Sequence, residues 1–191
     1  FEAVAGRGVQ SPFPAGVVEL GAELQCRVER VLVVQRAGPE GRHREGEVVR
    51  HEVRAAHFDV RIRAHLGEKD IPIYFVAGGT LANIIITSVS LKSHEAVIAA
   101  NIGHIVVRET GAIEATGHKI ITVASDNGKL TPNEIETALA NNAHYPHMAK
   151  PRLVYISNAT EAGTIYTKSE LKNLSATCKE NDLLLLLDGA R

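Results

Sequence analysis

Short apolar runs alternate with amphipathic stretches over the last two thirds of the chain. Runs rich in β-branched or aliphatic residues, with turn residues at their ends, are typical of strands buried in a sheet. The pattern predicts five of them: Ile71–Val76, Ala96–Ala100, Lys119–Val123, Arg152–Ser157 and Leu183–Leu187. The last run has five apolar residues in succession, which favours a central parallel strand buried on both faces.

Amphipathic stretches between these runs predict helices. Thr131 and Thr167 are each followed by a glutamate three residues on, which is the pattern of a capping box, and predict helices to about Asn141 and Glu180. Two further helices are predicted, one over residues 81–91 with Thr80 as its N-cap and one over residues 105–116.

A strand followed by a helix thus recurs about four times. This order predicts an α/β fold with a mostly parallel sheet and flanking helices. Ligands of such sheets bind beyond the carboxyl ends of the strands. The segments to inspect are therefore 77–80, 101–104, 157–164 and 188–191.

The composition changes abruptly near residue 66. Residues 1–65 contain ten Arg, no Lys and a single Ile, whereas the remainder contains eight Lys, three Arg and 14 Ile. We therefore divide the chain into an unassigned segment, 1–66, and a segment 67–191 that carries the α/β pattern. Three interpretations of the first segment stay open: a separate small domain, a mobile or disordered polar extension, or a stretch that is not native sequence.

Three positions next to predicted strands are candidates for chemistry. Gly79 and Thr80 lie between a strand and a helix, where free backbone N–H groups attract phosphate. His104 follows the second strand, and Asp188 ends the last one. A carboxylate beside an apolar strand requires a cationic partner, for which Arg191 and the protonated nitrogen of a bound heterocycle are the candidates.

Four stretches together resemble the L-threonine aldolase and β-eliminating lyase family, whose enzymes depend on pyridoxal 5'-phosphate (PLP). They are YFVAGGTLAN from Tyr74, HIVVRETGAIEATGHK from His104, VYISNATEAGTIYT from Val154 and LDGAR from Leu187. The resemblance covers residues 68–191. It implies that residues 67–191 form part of the large domain of an aminotransferase-like fold.

The resemblance also implies roles for individual residues. Gly79 and Thr80 would hold the cofactor phosphate. His104 would stack on the pyridine ring and assist proton transfer at the substrate hydroxyl. Asp188 would pair with the pyridine nitrogen, and Arg191 would lie beside the ring's 3-hydroxyl and the substrate. Asn158 and Glu109 also match the family pattern and would have supporting roles.

Three departures from the family pattern lead us to expect that the chain as given is inactive. The family's Schiff-base lysine lies beyond the LDGAR motif, and no lysine of this chain occupies the matching position. The family's C-terminal small domain is absent, and residues 1–65 lack its N-terminal pattern, including a Gly-Tyr-Gly segment.

For the intact protein, the resemblance implies cleavage of a β-hydroxy-α-amino acid, threonine or allo-threonine, to glycine and acetaldehyde. Two alternatives stay open: a β-eliminating lyase or aminotransferase on the same scaffold, and an α/β fragment without catalytic activity. The resemblance implies a small-molecule amino-acid substrate and a homo-oligomer at full length.

Composition and charge set the remaining expectations. A net charge of -1 gives no reason to expect a nucleic-acid or anionic-membrane partner. The sequence shows neither an 18-residue apolar run nor a signal peptide. Two distant cysteines are typical of reduced thiols, so a cytoplasmic location is expected, and the histidines show no spacing that indicates a metal site.

Overall fold

The computed structural model describes residues 17–19, 32–35, 62–64 and 73–189. In chain order the elements are β1 Val17–Glu19, β2 Leu32–Gln35, β3 Ile73–Val76, α1 Gly79–Ser90, β4 Glu95–Ala100, α2 His104–Val107, β5 Lys119–Val123, α3 Pro132–Asn141, β6 Lys150–Ser157, α4 Lys168–Glu180 and β7 Leu184–Asp188. A 3₁₀ turn, Glu114–Thr116, precedes β5. Within the described residues, no helix is long and apolar enough to cross a membrane.

The strands form two sheets. Strands β5, β4, β6 and β7 lie side by side in that order and are all parallel, which confirms the predicted α/β class. The other sheet has the order β1-β2-β3, with β1 antiparallel and β3 parallel to β2. Because β3 belongs to this second sheet, the expectation that all the site motifs follow strands of one sheet was wrong.

Helices cover both faces of the four-stranded sheet. On one, here called the α3/α4 face, strand residues such as Ile98 and Ile156 pack against Ile135 of α3 and Leu174 of α4. On the opposite α1/α2 face, a second cluster joins residues of β4, β6 and β7 to those of α1 and of the segment 105–113. Its members include Ala82, Ile86, Val97, Ala99, Ile105, Ile113, Tyr155 and Leu186.

Local sequence signals explain α3 and α4. In both, the N-cap threonine side chain accepts a hydrogen bond from the backbone of the third helical residue, and that residue's glutamate bonds back to the cap. The predicted capping boxes and the ends at Asn141 and Glu180 are confirmed.

Three local predictions were wrong. Helix α1 begins at Gly79 with Gly78 as its N-cap, so Thr80 is not the cap. The helix predicted over residues 105–116 is interrupted, because Thr110 and Gly111 have left-handed φ values of 49° and 79°. Strand β3 is not buried, since Tyr74 is 57% exposed.

Candidate active site

Within the described residues, the N-terminus of α1 lacks the side-chain cap that commonly satisfies the first backbone N–H groups of a helix. Gly78 is extended, no side chain caps the helix, and no acidic residue lies in the first turn. The well-capped helices α3 and α4 each begin with a threonine whose side chain caps the helix, and each carries a glutamate in its first turn. The positive end of the α1 dipole is therefore available to an anion, with Gly79 and the exposed Thr80 at its edge.

His104 begins the short helix α2, and Gly103 sets its position. A Cβ atom at Gly103 would lie 2.9 Å from the backbone oxygen of Ala100, which is closer than real Cβ contacts allow. The glycine lets the chain turn tightly at the carboxyl end of β4. His104 is thereby placed at the edge of the sheet, with about a third of its side chain exposed.

Two carboxylates flank the His104 ring. Nδ1 lies 3.0 Å from Glu161 Oε1, and Nε2 lies 3.9 Å from Glu109 Oε1. An ionised carboxylate can only accept, so the Nδ1 contact requires a hydrogen on Nδ1. In the neutral ring, Nε2 is then the basic nitrogen, which can accept a proton from a reacting group.

Glu109 is itself buried and held by helix α1. Its side chain is 0% exposed, and its Oε1 accepts a 2.9 Å hydrogen bond from Asn83 Nδ2. Neither Glu109 Oε2 nor Asn83 Oδ1 has a hydrogen-bond partner within the described residues. Unpaired buried oxygens are costly, and their retention is typical of a functional site.

Asp188 ends β7 and is buried, with 6% of its surface exposed. Its Oδ2 accepts a 2.5 Å hydrogen bond from the phenol of Tyr155, and its backbone oxygen accepts from the Asn158 N–H at 2.8 Å. Burial first, and then the Asp188 charge, raise the pKa of Tyr155 well above 10, so the phenol keeps its proton. The donor is therefore the tyrosine.

Asn158 braces the loop that follows β6. Its side-chain oxygen accepts a 3.1 Å hydrogen bond from the backbone N–H of Tyr166, and this contact folds the loop back on itself. The same loop carries Glu161 to His104. Asn158 thus holds the loop through its side chain and contacts Asp188 through its backbone, and its supporting role in the site stays a prediction.

The structure brings most of the predicted residues to one face. Tyr155, which bonds to Asp188, belongs to the same apolar cluster as Ala82 of α1 and Ile105 of α2. The α1 N-terminus, His104 and Asp188 are thus connected through the α1/α2 face, and their roles in one binding site stay a prediction. Arg191 lies outside the described residues, so its predicted role stays a prediction.

The sequence did not reveal three further site residues. Tyr155 lies inside an apolar strand and was indistinguishable from a core residue. Glu161 is 57 positions from His104 along the chain and reaches it only through the loop fold. Asn83 lies next to the apolar run Ile84–Ile86 in α1, and a polar residue beside that run was the one signal in the sequence that pointed to it.

A separate cavity of about 600 Å³ opens on the other side of the β5 edge, between the loop after β5 and α4. Its lining includes Asp126, Lys129 and Glu170, but none of the predicted site residues. Lys129 donates to both oxygens of Glu170 at 2.9 and 3.0 Å. These two charged side chains of the cavity lining therefore satisfy each other and do not require a ligand.

A parallel sheet with a buried carboxylate at its carboxyl edge, and a helix without a side-chain cap packed on the same face, defines an α/β domain of the ligand-binding class. The family follows from comparison with known proteins. A sequence model described as "Beta-eliminating lyase" matches residues 44–191, and the chain belongs to this family. The resemblance and the aminotransferase-like fold are thereby confirmed.

Similar proteins carry the name threonine aldolase. Over 130 residues the chain is 45% identical to the low specificity L-threonine aldolase of a Pseudomonas species and 42% identical to that of Pseudomonas aeruginosa. Each alignment covers 66% of this chain and 37% of the relative. The chain therefore spans little more than a third of the length of these curated relatives.

One solved structure supports the same assignment. The threonine aldolase of Leishmania major is 57% identical, with a TM-score of 0.58, over 60% of this chain and 33% of that one. The similarity extends to the fold as well as to the sequence of the matched segment.

Proposed function

We propose that the chain is part of a PLP-dependent enzyme that cleaves threonine or allo-threonine to glycine and acetaldehyde. The observation that carries the proposal is the buried Asp188 carboxylate, on the same sheet face as the uncapped N-terminus of α1. The names of the relatives, low specificity L-threonine aldolase among them, support the choice of reaction.

The described residues fit PLP. Backbone N–H groups at Gly79 and Thr80 would hold its phosphate, because nothing in the helix competes for them. Asp188 would face the ring nitrogen, since a buried carboxylate is most stable beside a cation. When bound, the cofactor supplies an electron sink for the pair released by Cα–Cβ cleavage.

His104 is proposed to accept the proton of the substrate β-hydroxyl. Glu161 fixes the tautomer by accepting from Nδ1, which leaves Nε2 as the base. Glu109 lies 3.9 Å from Nε2, so its carboxyl group would face the proton that the ring takes up. Gly103 holds the ring at the sheet edge, where the reacting groups meet.

Product analysis of the full-length gene product tests the proposal. Incubation with L-threonine and L-allo-threonine is expected to yield equal amounts of glycine and acetaldehyde. Pyruvate and ammonia from serine or cysteine, without glycine from threonine, would instead establish β-elimination. The absence of any PLP-dependent turnover would support an α/β fragment without catalytic activity.

A matched pair of histidine variants tests the proton transfer. His104→Asn removes the basic nitrogen and is expected to lower kcat by roughly 10²–10⁴. His94→Asn changes an exposed histidine at the other end of β4 and is expected to leave kcat unchanged. Equal activities of the two variants would show that His104 does not move the proton.

We further infer that the full-length protein is a cytoplasmic homo-oligomer that binds a small amino acid rather than nucleic acid or membrane. Exposed apolar side chains support the oligomer, among them Tyr74, Ile85 and Val89. Light scattering on the purified full-length protein would show more than one subunit, and a monomer would contradict the inference.

A further inference from the structure

Tyr155 is a buried tyrosine with a polar contact inside the core. It lies opposite Leu186 in the pairing of β6 with β7, whereas Ser157 lies opposite Asp188. The Tyr155 side chain therefore reaches diagonally, two residue pairs along the strands, to Asp188, which a long aromatic side chain can do. Its phenol then donates to Asp188 Oδ2 at 2.5 Å.

Packing alone does not require this hydroxyl. Tyr155 is 2% exposed among apolar neighbours, where a phenylalanine would fill the same space without burying an oxygen. A buried hydroxyl is favourable only when it is hydrogen-bonded, and here its acceptor is a carboxylate. Ser157 Oγ donates to the same phenol oxygen at 3.3 Å. The three groups thus form a chain of hydrogen bonds that runs from Ser157 through Tyr155 to Asp188.

The contact with the phenol involves one oxygen of the Asp188 carboxyl group. The bond engages Oδ2 and fixes the plane of the carboxyl group.

We propose that Tyr155 is a positioning residue that orients the Asp188 carboxylate and keeps the shared proton on the nitrogen of a bound pyridine ring. This inference rests on the proposed PLP site. Without the phenol, the Asp188 carboxylate is no longer held in one orientation, so its contact with the ring nitrogen weakens and the protonated nitrogen is less stabilised. The ring then withdraws electrons less strongly.

The probe that tests this is 4'-deoxypyridoxine 5'-phosphate labelled with ¹⁵N in the ring. It has no aldehyde, so its binding needs no lysine and its signal is independent of turnover. The ¹⁵N chemical shift of the bound probe reports whether the ring nitrogen is protonated. It is measured against pH on the full-length protein freed of bound cofactor, for the wild type and for Tyr155→Phe.

Tyr155→Phe is expected to lower the pH at which the bound nitrogen loses its proton by about one unit and to weaken probe binding about tenfold. Asp188→Asn removes the charge itself, so it is expected to give the largest fall in the pH at which the bound nitrogen loses its proton. The matched control is Tyr166→Phe, a buried tyrosine whose hydroxyl accepts from the Leu130 N–H on the α3/α4 face. It is expected to titrate like the wild type.

Each outcome decides one proposal. A Tyr155→Phe titration identical to that of the wild type overturns the inference and leaves the PLP site intact. If the wild type does not bind the probe, the proposed function itself fails. Should Tyr155→Phe not fold, Ser157→Ala decides instead, since losing its hydrogen bond to the phenol must shift the titration in the same direction by a smaller amount.

Discussion

The two faces of the four-stranded sheet are built on different principles. The α3/α4 face buries an apolar cluster under two helices that each begin with a capping box. The α1/α2 face buries Asn83, Glu109 and Asp188 among its apolar residues, and neither of its helices has a side-chain cap. The α3/α4 face thus stabilises the fold, whereas burying polar and charged groups on the α1/α2 face costs part of the free energy of unfolding.

The largest expected effect comes from the α3/α4 face. Leu174→Ala removes a side chain that is 1% exposed, and such a truncation costs about 3 kcal/mol of the free energy of unfolding. Urea denaturation of the full-length protein measures the loss, while PLP affinity of the folded variant stays unchanged. Lys172→Ala, at an exposed position of α4, is the control and is expected to change stability by less than about 0.5 kcal/mol.

The next effect comes from the polar pair of the α1/α2 face. Asn83→Leu leaves the Glu109 carboxylate without its donor and is expected to cost about 2 kcal/mol. The double variant Asn83→Leu/Glu109→Leu removes both polar groups, so most of that loss is recovered while His104 loses a neighbouring charge. A double variant no more stable than the single one would show that the pair is not coupled.

Local signals predicted the α3/α4 face well and the α1/α2 face less well. Thr131 and Thr167 specify their helices through contacts three residues away, which a sequence displays directly. Asp188 and His104 were identified because polar residues at strand ends stand out from apolar runs. Tyr155 and Glu161 escaped because their partners are distant in the chain and are brought near only by strand register and loop folding.

A third test concerns the acid stability of the α4 cap. Hydrogen bonds from the Thr167 backbone, and then from Lys129, lower the pKa of Glu170 from 4.5 to about 2. Because the pKa is lower in the folded state, Glu170 stabilises the fold above pH 4.5, and this contribution is lost as the pH falls toward 2. Glu170→Gln is expected to flatten the pH dependence in that window.

The control for this test is Glu136→Gln, which changes an exposed glutamate of α3 that takes no part in a capping box. It is expected to retain the acid-dependent loss of the wild type. If Glu170→Gln follows the same pH profile as Glu136→Gln, the cap does not contribute to acid stability.

The smallest expected effect is at the turn after Glu109. Thr110 adopts a left-handed conformation that disfavours β-branched residues, and glycine adopts it without strain. Thr110→Gly is therefore expected to raise stability by about 0.5 kcal/mol, after the entropy cost of glycine is subtracted. A loss of stability in thermal unfolding would show that the threonine makes a compensating contact.

A crystal structure of the full-length protein with PLP tests the central claim most directly. We expect the phosphate at the backbone of Gly79 and Thr80, and the ring nitrogen within hydrogen-bond distance of Asp188 on the α1/α2 face. A cofactor bound elsewhere, such as in the cavity beside Lys129 and Glu170, or a ring nitrogen that faces away from Asp188, would contradict the account.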